Sequence, residues 1–413
     1  MPFKFSAFSV FGVLLVMFGQ TIHAQETGNT NIASTDTLKK NYDNNQMDVR
    51  DLLRLVFKKP NWFKLKNENS AGPFIVVIPY PSYSIATGVE GVVPINISFY
   101  TNKKERSELS FFNNNFQYTQ YKQTIALSIS NIFLGHDKWE LIGDYRFYNF
   151  PTYTYGLGSE TTLLNEDRIS YNQVRFYQLA MRQVVPNLSV GIGYHVDYHY
   201  DISDFNANNG VMTDFQRYGF ASKSLSSGAS VNLLYDSRDN TNAPVKGVYI
   251  IAQFRANLSA LGSNTNYNSI TIDCRKKIRL QTKWYLELAF WGYAWITTNG
   301  KPPYLDLPAT GADMFNNTGR GYALGRFRGL NMAYFETELR FSILRGGLLG
   351  GVVFANMESL SEWPGNNLTT FQPGIGFGLR IKLNKKVKTS SAVDYGFGTG
   401  GSKGFAFNLN EVY

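Results

Sequence analysis

Cysteine is almost missing: Cys274 is the single thiol in 413 residues, so an intrachain disulfide is excluded. No Cys lies near the N-terminus, which excludes a lipoprotein anchor. Beyond residue 18, no apolar run approaches the roughly 20 residues of a transmembrane helix. Charge is sparse, at 17%, and the net +9 is spread along the chain, which argues against nucleic-acid binding. No G-x-S-x-G elbow, H-E-x-x-H pair or phosphate loop occurs, so no enzyme is expected. Histidines number 4, and one of them falls in the first 24 residues. His195, Asp197, His199 and Asp201 alternate along one stretch and share one strand face. Strand residues four apart lie about 13 Å from each other, too far for both imidazoles to hold one ion. These groups read as polar lining, and neither metal nor cofactor is expected. Asp236, Asp239 and Asn240 read as turn residues, with calcium as the alternative.

Aromatic residues are abundant, with 26 Tyr and 31 Phe. The first segment carries Lys4, an apolar stretch from Phe8 to Phe18, and Ala24 before Gln25. Residues 1–24 read as a secretory signal peptide, with a membrane anchor as the alternative. Residues 25–71 form a polar periplasmic segment. Within it, Asp48–Lys59 has apolar side chains at 49, 52, 53, 56 and 57, the spacing of a short amphipathic helix. Such a helix packs on the protein, lies on the membrane or plugs a barrel mouth.

From residue 72 to 413 the period is two. In Ala333–Leu344 (AYFETELRFSIL), Glu336, Glu338 and Arg340 share one face, while Phe335, Leu339, Phe341 and Ile343 share the other. About 16 such runs follow one another, and 14 and 18 are the neighbouring even counts. Long connections at 149–167, 203–221 and 298–329 alternate with short ones such as Val185–Asn187 and Gly346–Gly347. A spanning sheet must close so that every backbone group is paired. The expected fold is therefore all-β, a transmembrane antiparallel barrel, with a soluble β-sandwich as the alternative. Charged faces would line a water-filled lumen, and Cys274 would sit on the lipid face. The chain ends GFAFNLNEVY, placing Phe405, Phe407, Leu409 and Tyr413 on one face, as a barrel assembly signal would.

Several motifs resemble those of the bacterial surface antigen superfamily, which includes the BamA and TamA insertases and related two-partner secretion transporters. Tyr235–Asn240 (YDSRDN), followed by Pro244 and Lys246-Gly247, is similar to the family turn, with Asp236, Arg238 and Asp239 as its polar residues. Tyr155–Gly158 (YGLG), Arg320-Gly321-Tyr322 in the longest loop, and Asp394–Gly398 (DYGFG) add to the likeness. The resemblance implies that the long extracellular loop folds into the lumen. Arg320 would then meet a wall carboxylate, with Glu338 as the candidate. Asn356 stands where the insertases tend to carry an acid, which weakens that clamp. Arg328-Gly329 offers a second register for the motif. The family also implies periplasmic POTRA domains, for which residues 25–71 leave no room. The expected function is protein translocation or membrane insertion without them, with a passive channel or structural barrel as the alternative. Expected surroundings are outer-membrane lipid and lipopolysaccharide in a Gram-negative bacterium. Expected partners are the barrel-assembly machinery and a protein substrate.

Overall fold

The computed structural model describes residues 73–409, except 78, 85–86, 103–107, 207–211, 242–243, 281–285, 345 and 385–388, together with Met47 and Asp48. The leader 1–24, the helix at 48–59 beyond Asp48, and Tyr413 lie outside the described residues. Eighteen strand segments follow one another: β1 Phe74–Val77, β2 Tyr80–Ser84, β3 Gly88–Phe99, β4 Ser110–Thr119, β5 Thr124–Leu134 and β6 Trp139–Asn149. Next come β7 Thr152–Thr154, β8 Asp167–Val185, β9 Leu188–Asp204, β10 Ser224–Asp236, β11 Gly247–Asn257 and β12 Tyr267–Arg279. The last are β13 Glu287–Gly300, β14 Asn331–Ser342, β15 Leu349–Leu360, β16 Gln372–Asn384, β17 Thr389–Phe397 and β18 Lys403–Leu409.

The segments reduce to 16 wall strands. β1 and β2 both pair antiparallel with β3, at Ile95–Ser98 and Gly88–Val92, so they are two pieces of one strand. β7 continues β6 along β8 past Pro151. From β3 to β18 each wall strand pairs with the next, and β18 lies beside β2 in the sheet order. The sheet thus returns on itself as an antiparallel barrel. No helix among the described residues is long and apolar enough to cross a membrane. The connections at 155–166, 205–223, 301–330 and 361–371 emerge at one end. They gather a cap in which Leu157, Phe215, Tyr218 and Tyr304 are buried and Trp363 packs against them.

Alternation sorts the wall as hydrocarbon demands. On β9, Ile192 is 69% exposed outward, while His195, Asp197 and His199 are buried inward. Ile375, Phe377 and Leu379 of β16 are exposed outward. Phe405 is exposed on the same outer side as Tyr395, against which its ring packs. The side chains of Phe407 and Leu409 lie outside the described set. Cys274 points outward but is buried among Ile272, Ala294 and Ala333.

Three expectations need correction. Asp201 does not share the face of His199. Its φ of +52° accompanies a register shift on β8 between Ser170 and Asn172, and the bulge turns Asp201 outward while Ile202 becomes buried. The lumen is not simply wet, because the connection 301–330 fills it; Glu338 is only 1% exposed. Around β5 the polarity reverses. Ile125, Leu127 and Ile129 point inward, while Ser128 and Ser130 point outward, across from Asn114 and Phe112. An Arg or Lys on the lipid face near mid-depth costs about 2–4 kcal/mol. Val231→Lys, at an outward β10 position 59% exposed, is expected to lower unfolding stability in lipid by about that amount, read by urea titration. Asn232→Lys, on the inward side, is expected to cost less.

Candidate functional site

The site begins with the strand pattern. On β14, Glu336 and Glu338 point inward, opposite Asn356 and Phe354 of β15. On β17, Asp394 points inward opposite Gly378 of β16, where the missing side chain leaves room for its carboxylate. Three acids therefore converge on one stretch of inner wall, and that arrangement needs a cation.

The 301–330 connection supplies it. Arg320 Nη2 lies 2.6 Å from Glu336 Oε1 and 2.7 Å from Glu338 Oε2, and Nη1 lies 2.9 Å from Asp394 Oδ2. Nε donates to Glu336 Oε2 at 2.9 Å, which makes that pair bidentate. The guanidinium sits 3.8 Å above the Phe354 ring. Burial alone would lower the Arg320 pKa, but the three carboxylates raise it well above the usual value. Two more cations balance the acids: Arg340 bonds Glu338, and Arg380 Nη1 reaches Asp394 Oδ1 at 2.6 Å. Three arginines thus face three carboxylates, as a dry ionic cluster requires.

The neighbours of Arg320 fix the backbone. Asn356 Nδ2 donates to the Arg320 carbonyl at 2.9 Å. The residue at 356 therefore holds the loop's main chain, and Asp394 contributes a third carboxylate to the guanidinium. Gly321 has φ +109°, and a Cβ there would stand 2.9 Å from the Phe397 carbonyl carbon. Only glycine lies this close to β17 without strain. Tyr322 donates its hydroxyl to the Pro373 carbonyl at 2.5 Å and accepts from the Thr399 amide at 2.9 Å. Ser402, just before β18, donates to the Gly321 carbonyl at 2.8 Å. Among the described residues, Arg328 pairs with no carboxylate. Its Nη1 donates to the carbonyls of Tyr304, Leu305 and Leu307 and laces the loop to itself.

Elsewhere the family-like turn is built by Arg238, whose Nη2 lies 2.7 Å from Asp236 Oδ2. Asp239 Oδ1 accepts from the amides of Val245 and Lys246 at 2.8 and 3.2 Å. In YGLG, the Gly158 amide donates to the Arg328 carbonyl at 2.7 Å. Asp306, lower in the long loop, accepts from Ser226 at 2.5 Å and faces His199 Nδ1 at 3.3 Å. Burial pushes Asp306 up to about 7, and the charge of Asp197 adds to the rise. Among the described residues, no three His, Cys, Asp or Glu side chains gather to hold a metal ion. Sequence reasoning singled out Arg320 and Glu338 but not Asp394 or Arg380. The signal for both was their inward phase on β17 and β16.

Residues 95–409 match the family model described as the Omp85 superfamily domain. Among solved structures, the chain is similar to BamA from Haemophilus ducreyi lacking POTRA domains 1–3, at 13% identity and a TM-score of 0.51, over 83% of this chain and 70% of that one. It is also similar to CdiB from Acinetobacter baumannii, at 12% identity and TM-score 0.53, over 83% and 60% of the two chains. CdiB from Escherichia coli gives 10% and 0.51, over 84% and 68%. Identities this low carry the fold alone. No curated protein sequence matches the chain.

Removing one partner of a buried ionic cluster leaves the others uncompensated, at a cost of about 3–5 kcal/mol. Arg320→Ala is therefore expected to lower barrel stability by that order and to open 301–330 to added protease. Arg320→Lys is expected to rescue little, since one ammonium cannot reproduce the fork. Gel-shift heat-modifiability and limited proteolysis check both.

Proposed function

The chain belongs to the Omp85 superfamily, and from that premise we propose that this outer-membrane barrel moves or inserts protein through a weak seam between its first and last wall strands, with the lumen loop as an internal strut. The observation carrying the proposal is Pro81. It sits in β2 opposite Gly91 of β3. Proline has no N–H, so this is a non-hydrogen-bonded position toward β3, and the missing donor is the one that would face β18. Pro79 lies in the break between β1 and β2. Carbonyls of β18 are left for an incoming strand to pair with, the physics of strand addition.

The other side of the seam is braced. The loop tip ties to β14 and β17 through Arg320, to β15 through Asn356, to β16 through Tyr322 and to the start of β18 through Ser402. One edge is weak and its partner edge is stiff, which suits a wall that opens on one side only. The filled lumen speaks against a passive pore. The proposal includes no catalytic step. A protein client, the cell's own assembly machinery and outer-membrane lipid are the partners it needs.

Cysteine pairs placed across β2 and β18 in a Cys274→Ser background test it. The oxidised barrel is expected to lose its contribution to the outer-membrane or secreted proteome, and reductant to restore it. An active oxidised barrel would sink the reading. Pro81→Val is expected to stiffen the barrel and slow the same activity. In liposomes the wild type is expected to stay closed and Arg320→Ala to flicker. Steady conductance unchanged by Arg320→Ala would favour the passive channel.

A further inference from the structure

We propose that the lumen binds a single-chain anionic amphiphile, an acyl chain with one carboxylate or phosphate head, in the cavity beside β5. This goes beyond the seam reading and does not depend on it. The cavity measures about 420 Å3 and surrounds the tip of the 301–330 loop, bounded by β3–β6 and also by β8, β9, β11–β13, β17 and β18. That volume falls within the usual range of about 300–1,000 Å3 for small-molecule sites. Its wall is the stretch where polarity is reversed: Leu127 and Ile129 of β5, Ile142 of β6, Leu179 of β8 and Ile251 of β11 all line it. A merely water-filled bore gains nothing from inward aliphatic side chains, which are stable there only against other apolar matter. Met314 of the loop supplies part of that cover, packing against Ile142 and Leu179. Leu127, Ile251 and Met314 remain partly accessible around the empty space. Gly193 of β9 keeps the collar open, since a Cβ there would collide with Leu179.

A head-group site adjoins the apolar wall. Arg175 Nε lies 2.7 Å from Asp197 Oδ1, and Arg255 Nη1 lies 3.0 Å from Asp197 Oδ2. Both arginines line the cavity. Arg175 also approaches Asp144 at 3.8 Å, but Asp144 is already held by Arg146 at 2.7 Å. Three guanidinium groups therefore share two carboxylates. Asp306, whose Oδ2 accepts from Ser226, stands near the same arginines as a further carboxylate. Arg255 is buried, and its Nη2 has no hydrogen-bond partner. A buried guanidinium with a spare donor beside a greasy pocket is the complement of a carboxylate or phosphate head on an acyl tail. Ser82 of β2, Glu90 of β3 and Gly404 of β18 border the same cavity, so it extends to the inner side of the β2–β18 seam.

The test uses the full mature chain in phosphatidylcholine nanodiscs, labelled with a diazirine-bearing palmitate and mapped by peptide mass spectrometry. Inward labelling at Leu127, Ile129 and Ile251 is expected, above the outward background shared with the probe's methyl ester. Arg255→Gln is expected to cut the inward labelling about tenfold, the worth of one charge-assisted hydrogen bond. Leu127→Trp narrows the apolar side of the cavity and is expected to reduce the inward labelling while the folded gel mobility stays unchanged. Competition by unlabelled palmitate or by lysophosphatidic acid identifies the preferred head, and competition by neither overturns the proposal. Labelling confined to outward residues, or inward labelling equal for acid and ester, also overturns it.

Discussion

Charge inside a membrane wall is tolerated only when it is answered, and the cluster around Arg320 is where this barrel answers it. The hydrocarbon outside forces side chains to alternate, and alternation sends Glu336, Glu338 and Asp394 to one patch of inner wall. Once a loop excludes water from that patch, the acids need guanidinium partners. Arg320 enters from the loop, while Arg340 and Arg380 come from the wall itself. The position of the long connection, the stiffness of the last strands and the closure of the lumen all follow from this balance.

The balance also divides the barrel mechanically. Strands β14 to β17, where the acids and wall arginines sit, are cross-tied through the loop, whereas the first wall strand is broken into β1 and β2 and carries two prolines. Adjacent strands thus differ sharply in how firmly they are held, and the inner apolar wall of β5 sits close to the less firmly held side. A barrel of uniform strength would have no preferred place to part.

Much of the wall was legible because its period is a local property. Inward and outward faces follow from residue parity, so Glu336, Glu338 and the outward Phe335 side could be assigned by reading along β14. Arg320 was legible through its Gly-Tyr context. Asp394 was not, because its partner lies 74 residues away and nothing local marks the pairing. Asp201 misled because a bulge switches parity without leaving a trace in composition. The reversed face of β5 could not be assigned from the sequence at all. Its alternation is regular, and only the register with β4 tells which side is the lumen. Asn356 kept its place at the loop but exchanged a charge contact for a backbone one, a distinction that depends on the position of one carbonyl.

The cap built by Leu157, Tyr218, Tyr304 and Trp363 joins four connections that are far apart in the chain. Among the described residues, that end of the barrel is therefore a woven surface rather than a set of separate loops. Antibodies raised against a peptide from any one connection would find their epitope only in fragments, whereas those raised against the folded barrel would recognise composite shapes that vanish on denaturation.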